Sequence, residues 1–182
     1  MKEGVCRYFL AIIPPDALAE KVTALKNEFV ERFNSRAALR SPAHITLHMP
    51  FQWKEAKEEK LFHLLAQTTN FKPFTIKLDG FGAFSPRTIF IQPQYSAELE
   101  LMNTALLQTT KRELNLLHAI HIGGYHPHMT IAFRDLRKAQ FFEAWPDYEN
   151  REFKGTFEVN SYWLLKHNGK FWEAYREFKF TA

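Results

Sequence analysis

The chain has 182 residues, 46% hydrophobic and 24% charged, the balance of a folded globular protein rather than a disordered one. Its formal charge of +4 is too small for a duplex-DNA binder, though it leaves room for a local basic patch facing a phosphorylated ligand. The single cysteine, Cys6, excludes a disulfide framework and a cysteine zinc cluster and points to a reducing, cytoplasmic setting.

The elements follow in chain order. The apolar stretch Val5–Ile13 is interrupted by Arg7 and runs into Pro14-Pro15, so it reads as a first strand (Tyr8–Ile13), not a secretion signal or a membrane span. Asp16 then opens a helix through Phe33, with Leu18, Val22, Leu25, Phe29 and Phe33 at helical spacing. His44–Phe51 alternates as a strand, Lys54–Thr69 is a charged helix, and Phe74, Ile76 and Leu78 mark a half-buried strand. A second pass repeats this order. Thr88–Gln92 is a strand, Glu98–Leu117 a helix, His128–Phe133 a strand and Leu136–Trp145 a short helix. Phe153–Val159, Ser161–Lys166 and Phe171–Phe180 close the chain as strands, the last two joined at Asn168-Gly169. The expectation is a single α+β domain over residues 1–182. It is bilobal and internally duplicated (about 5–80 and 87–166), with antiparallel or mixed sheets around a central cleft and helices outside.

Two corresponding strands carry the chemistry. Pro42-Ala43-His44-Ile45-Thr46-Leu47 and Pro127-His128-Met129-Thr130-Ile131 each contain His-x-Thr, with the histidines 84 positions apart. Side chains at i and i+2 of a strand share a face, so each strand presents one imidazole and one hydroxyl above an apolar back. That back is Ile45, Leu47 and Met49 in one strand and Met129, Ile131 and Phe133 in the other. If the repeat brings the polar faces together, one cleft holds His44, Thr46, His128 and Thr130. Two imidazoles titrating near neutrality supply a base and an acid in one turnover. Two hydroxyls can donate to the non-bridging oxygens of a phosphate. The set suits in-line displacement at a phosphodiester, above all a 2′,3′-cyclic phosphate, with no metal and no cofactor.

These paired motifs, with the Tyr8–Pro15 opening and the Phe81-Gly82-Ala83-Phe84 stretch before the Thr88–Ile91 strand, resemble the two-histidine (2H) phosphoesterase superfamily, in its 2′-5′ RNA ligase/cyclic phosphodiesterase branch. The resemblance implies a bilobal α+β fold, metal-independent catalysis by His44 and His128, and phosphate binding by Thr46 and Thr130. It also implies an RNA 3′-end or nucleotide substrate. The expectation is therefore a monomeric, cytoplasmic enzyme that opens 2′,3′-cyclic phosphates to a 2′-phosphate, with reverse 2′-5′ joining open to the same site. His128 is assigned to activate water and His44 to protonate the leaving oxygen. The rival readings are a nucleotide- or RNA-end-binding module without chemistry, and a metal-dependent hydrolase centred on His126 and His128 with His118 and His121 nearby.

Bland readings fit the remaining candidates better. His48 shares the predicted face of His44 but is expected to be solvated or to stand behind the reacting groups. Arg87 and Tyr125 read as surface residues, the phenylalanines as core rather than a stacking platform, and Cys6 as a small buried hydrophobe.

Overall fold

The computed structural model describes residues 3–116 and 124–182. Its strands are β1 (Val5–Ile12), β2 (Ile45–Lys54), β3 (Phe74–Phe84), β4 (Thr88–Pro93), β5 (Met129–Ala132), β6 (Lys154–Val159), β7 (Ser161–His167) and β8 (Trp172–Lys179). Its helices are α1 (Asp16–Phe33), α2 (Glu58–Ala66), α3 (Ala97–Leu114) and α4 (Lys138–Glu149). The strands form two four-stranded sheets, ordered β2-β1-β7-β8 and β5-β4-β3-β6. Every pairing is antiparallel, so the open choice between antiparallel and mixed sheets resolves to antiparallel.

The duplication is visible in dimensions as well as order. Helices α1 and α3 are each 18 residues long and lie 81 positions apart. Each is closed by an asparagine in the left-handed region, Asn34 at φ 53° and Asn115 at φ 52°. A short polar side chain tolerates that conformation, and the cap N–H groups return to carbonyls of the last turn. Strands β1 and β4 occupy the same place in their sheets, each with a His-x-Thr strand on one side. The lobes nevertheless exchange strands. β3 comes from the first half of the chain yet pairs with β4 and β6, while β7 from the second half pairs with β1.

Strand alternation divides apolar residues between two environments. Tyr8, Leu10 and Ile12 join the main core with Ile45, Leu47, Ile89, Ile91, Met129 and Ile131. Phe9 and Ala11, on the other face of β1, form a separate cluster with Leu165, flanked by Ile13, Trp163 and Trp172. Phe9 on that second face packs against the ring of His44.

Some boundaries differ from the sequence expectation. β2 runs to Lys54, and a short 3-10 turn (Glu55–Lys57) precedes α2, so the helix expected from Lys54 begins at Glu58. Its first turn is held by the Glu58 carboxylate, which accepts hydrogen bonds from Tyr8, from Lys166 at 2.8 Å and from Tyr175 at 2.8 Å. β3 continues past Leu78 to Phe84, because its partner β4 lies beyond the next turn. No helix among the described residues is long and apolar enough to cross a membrane.

Candidate active site

His44 immediately precedes β2 and His128 immediately precedes β5. Both rings are held in the same way. His44 Nδ1 lies 2.8 Å from the carbonyl of Pro42, and His128 Nδ1 lies 2.8 Å from the carbonyl of His126, in each case two residues back. A carbonyl can only accept, so in the neutral ring this contact places the proton on Nδ1 and makes Nε2 the nitrogen able to accept one. A proline stands just before each histidine, Pro42 in Pro42-Ala43-His44 and Pro127 in His126-Pro127-His128.

Each ring also rests on an aromatic from the central strand beside it. Phe9 of β1 packs at 5.0 Å against His44, and Phe90 of β4, 81 positions later, packs at 5.3 Å against His128. Phe84 adds an edge contact to His128 at 5.0 Å, and Trp172 an edge contact to Phe9 at 4.7 Å. Gly82 makes room for this arrangement. A Cβ at that position would lie 2.5 Å from Cε2 of Phe90, closer than any side chain can stand. Phenylalanine is thus mostly core, as expected, but Phe9, Phe84 and Phe90 also brace the two imidazoles, a role that composition alone does not reveal.

Thr46 and Thr130 are half-buried, each on the face opposite the core residues Ile45, Leu47, Met129 and Ile131. Directly after each threonine the register slips. Ala11 pairs with Thr46 but Leu10 with His48, and Phe90 pairs with Thr130 but Ile89 with Ala132. Leu47 and Ile131 are therefore the extra residues of matching β-bulges. The bulge corrects two expectations for the first strand. His48 turns away from His44 and is 1% exposed, with Nε2 3.1 Å from the Thr110 hydroxyl of α3 and Nδ1 2.7 Å from the Met49 carbonyl. Met49, expected in the core, is 49% exposed. Strict alternation fails once one residue is inserted.

Two further residues tie the motif strands together. Tyr125, read from sequence as surface, is half-buried and donates from its hydroxyl to the carbonyl of Thr46 at 2.8 Å. Burial raises its phenol well above the usual range, so it stays a donor. Asp135, just beyond β5, accepts from the Ser35 hydroxyl at 2.7 Å and from the backbone N–H groups of Arg36 and Ala37 at 2.7 and 2.9 Å. It thereby joins the exit of the His128 strand to the approach of the His44 strand.

The two rings also act on each other electrostatically. Burial lowers the His44 pKa to about 4 despite the opposing Pro42 hydrogen bond, and the charges of Lys26 and His128 lower it further. Lys26 is itself only 2% exposed, donates to the Ser41 carbonyl at 2.9 Å, and is lowered by burial to about 8. Arg87 is exposed, as expected, and Cys6 is half-buried against the core. His126 is exposed, and no group of three or more His, Cys, Asp or Glu among the described residues is arranged to hold a metal ion. His118 and His121 lie outside the described residues.

The profile of the 2′-5′ RNA ligase superfamily matches residues 14–171, most of the chain. The protein belongs to this superfamily. Among solved structures it is similar to Escherichia coli LigT in its apo form, at TM-score 0.71 and 21% identity over 98% of this chain and 99% of that one. LigT complexed with 3′-AMP gives TM-score 0.74 at 20% identity, covering 98% and 99%. The protein TT0787 of Thermus thermophilus gives 0.65 at 17% identity, covering 95% and 97%. At these identities the likeness is one of fold. A search of curated proteins finds no match.

Proposed function

We propose that this superfamily member is a cyclic phosphodiesterase that opens 2′,3′-cyclic phosphates on RNA ends or nucleotides, and that the same cleft admits 2′-5′ joining in reverse. The observation that carries the reading is the matched setting of His44 and His128. Both rings have Nδ1 tied to the carbonyl two residues back, both rest on the aromatic of the neighbouring central strand, and the charge of one acts on the other. The solved complexes of LigT with 3′-AMP, phosphate and ATP support a nucleotide ligand for the fold.

In hydrolysis, one Nε2 takes a proton from water as the water oxygen bonds to phosphorus. The P–O3′ bond breaks, and the other Nε2 returns a proton to O3′, leaving a 2′-phosphate. Thr46 and Thr130 donate to the non-bridging oxygens, whose negative charge grows in the transition state. Because burial keeps His44 neutral at pH 7 in the free protein, we assign it the base role and His128 the acid role. This reverses the order expected from sequence. Turnover at a single phosphorus by two imidazoles requires no metal.

The test is incubation of the purified protein with 2′,3′-cyclic AMP and a short RNA ending in a cyclic phosphate, in EDTA, with products separated by chromatography. We expect turnover with chelator present, a loss of roughly 100-fold or more in kcat/KM for His44→Ala and for His128→Ala, and losses of roughly 10–1000-fold for Thr46→Val or Thr130→Val. Unaltered turnover in either histidine variant rejects the pair. Tight binding with no product from the parent protein favours a pure binding module.

A further inference from the structure

Beside the His44 end of the cleft lies a cationic group that the proposed reaction leaves unused. Arg7 stands two residues before Phe9 on β1 and on the same strand face, about 7 Å further along. Its guanidinium lies over the Trp172 ring, with Cζ 5.2 Å from the ring centroid. Trp172 in turn meets Phe9 at 4.7 Å and His167 at 4.8 Å, both edge-on. One tryptophan therefore links the aromatic under His44 to Arg7 and His167. Trp172 also lines a groove of ≈ 420 Å³ whose wall includes Lys26, Arg40, Ser41, Pro42 and Phe171.

Neither Arg7 nor Arg40 makes an ion pair among the described residues. Arg7 Nε is buried with no hydrogen-bond partner, the only such side-chain atom among the described residues. Burying a donor unpaired costs stability, so the guanidinium is held over Trp172 against that cost. His167 Nδ1 accepts from the Gly169 backbone N–H at 3.1 Å, which leaves its proton on Nε2 as a donor. Arg7 and Arg40 both press their charge on His167 and, after burial, hold its pKa below the usual value. Glu173 borders the groove, engaged by Asn168 Nδ2 at 2.5 Å.

Resting on the reading of the cleft given above, we propose that Arg7, Arg40 and His167 around Trp172 form a second anion subsite. It takes the backbone phosphate next to the reacting nucleoside, so that the natural substrate is an oligonucleotide and not a mononucleotide. Two arginines and an imidazole donor match the oxygens of a phosphodiester, and the partly buried Trp172 ring offers an aromatic surface to the adjoining base.

Calorimetric titration with adenosine 2′-phosphate and adenosine 2′,5′-bisphosphate separates the two phosphates without needing turnover. The parent protein should bind the bisphosphate roughly 10-fold more tightly, one charge-assisted contact set being enough for that ratio. The advantage should shrink with added salt. In Arg7→Gln and Arg40→Ala the ratio should fall to within about threefold, while affinity for the monophosphate holds within about twofold. Arg40 is exposed, so its variant keeps the test informative even if Arg7→Gln folds poorly. Equal affinities in the parent, or a ratio that survives both substitutions, overturns the subsite. A preserved bisphosphate advantage in a protein that never opens a cyclic phosphate would instead reject the enzymatic reading while sustaining this one.

Discussion

Acidification should destabilise the protein through His44 in a way that a single substitution isolates. In the unfolded chain the imidazole titrates at about 6.5, and in the folded protein burial, Lys26 and His128 bring it to about 4. Between these values the unfolded state binds a proton that the folded state refuses, so stability falls as pH falls from 6.5 to 4 and is full above that window. The gap of about 2.5 units corresponds to about 3 kcal/mol at 1.36 kcal/mol per unit. Because the ring is half-buried rather than sealed, solvent reduces the expected loss to about 2 kcal/mol. Urea unfolding at pH 7.0, 5.5 and 4.5 on the parent and on His44→Gln measures it, since every other titrating group is common to both. The parent should lose about 2 kcal/mol more than the variant on going to pH 4.5. A difference between the two that does not change with pH, or that grows in the parent's favour on acidification, would refute the neutral, charge-opposed environment assigned to His44.

Two structural supports of the site give further expectations. Gly82→Ala would push a methyl into the Phe90 ring and, through it, shift His128; we expect a loss of about 1–3 kcal/mol in stability and a fall in kcat/KM at pH 7. Unchanged activity would show that Phe90 does not position His128. Asp135→Ala leaves the Arg36 and Ala37 N–H groups and the Ser35 hydroxyl without their acceptor, which should cost about 1–3 kcal/mol in urea unfolding; a neutral substitution would mean that water replaces the carboxylate freely.

The sequence made most of this architecture legible because the signals were periodic. The apolar spacing from Leu18 to Phe33 set α1 at its observed limits, and alternation around each His-x-Thr put the threonines opposite the core. What escaped was whatever depends on one inserted residue or on a partner distant in sequence. The bulge at Leu47 reverses His48 and Met49, and nothing in the local pattern announces it. Tyr125 and Asp135 are inconspicuous in sequence, since their partners Thr46 and Ser35–Ala37 lie about 80–100 positions away. The carbonyl contacts of His44 and His128 follow from backbone direction before the strand, which composition does not encode. The paired motif itself was the exception: two copies in matching contexts carried information that neither copy held alone.

The central claim is that His44 and His128 act on one phosphorus, and nitrogen-15 NMR of the imidazoles tests it most directly. With adenosine 2′-phosphate titrated into labelled protein, the Nε2 resonances of both rings should move together along one binding curve, and the Nδ1 resonances should stay close to their starting values. Movement of a single ring, or two rings responding with separate dissociation constants, would contradict the shared site.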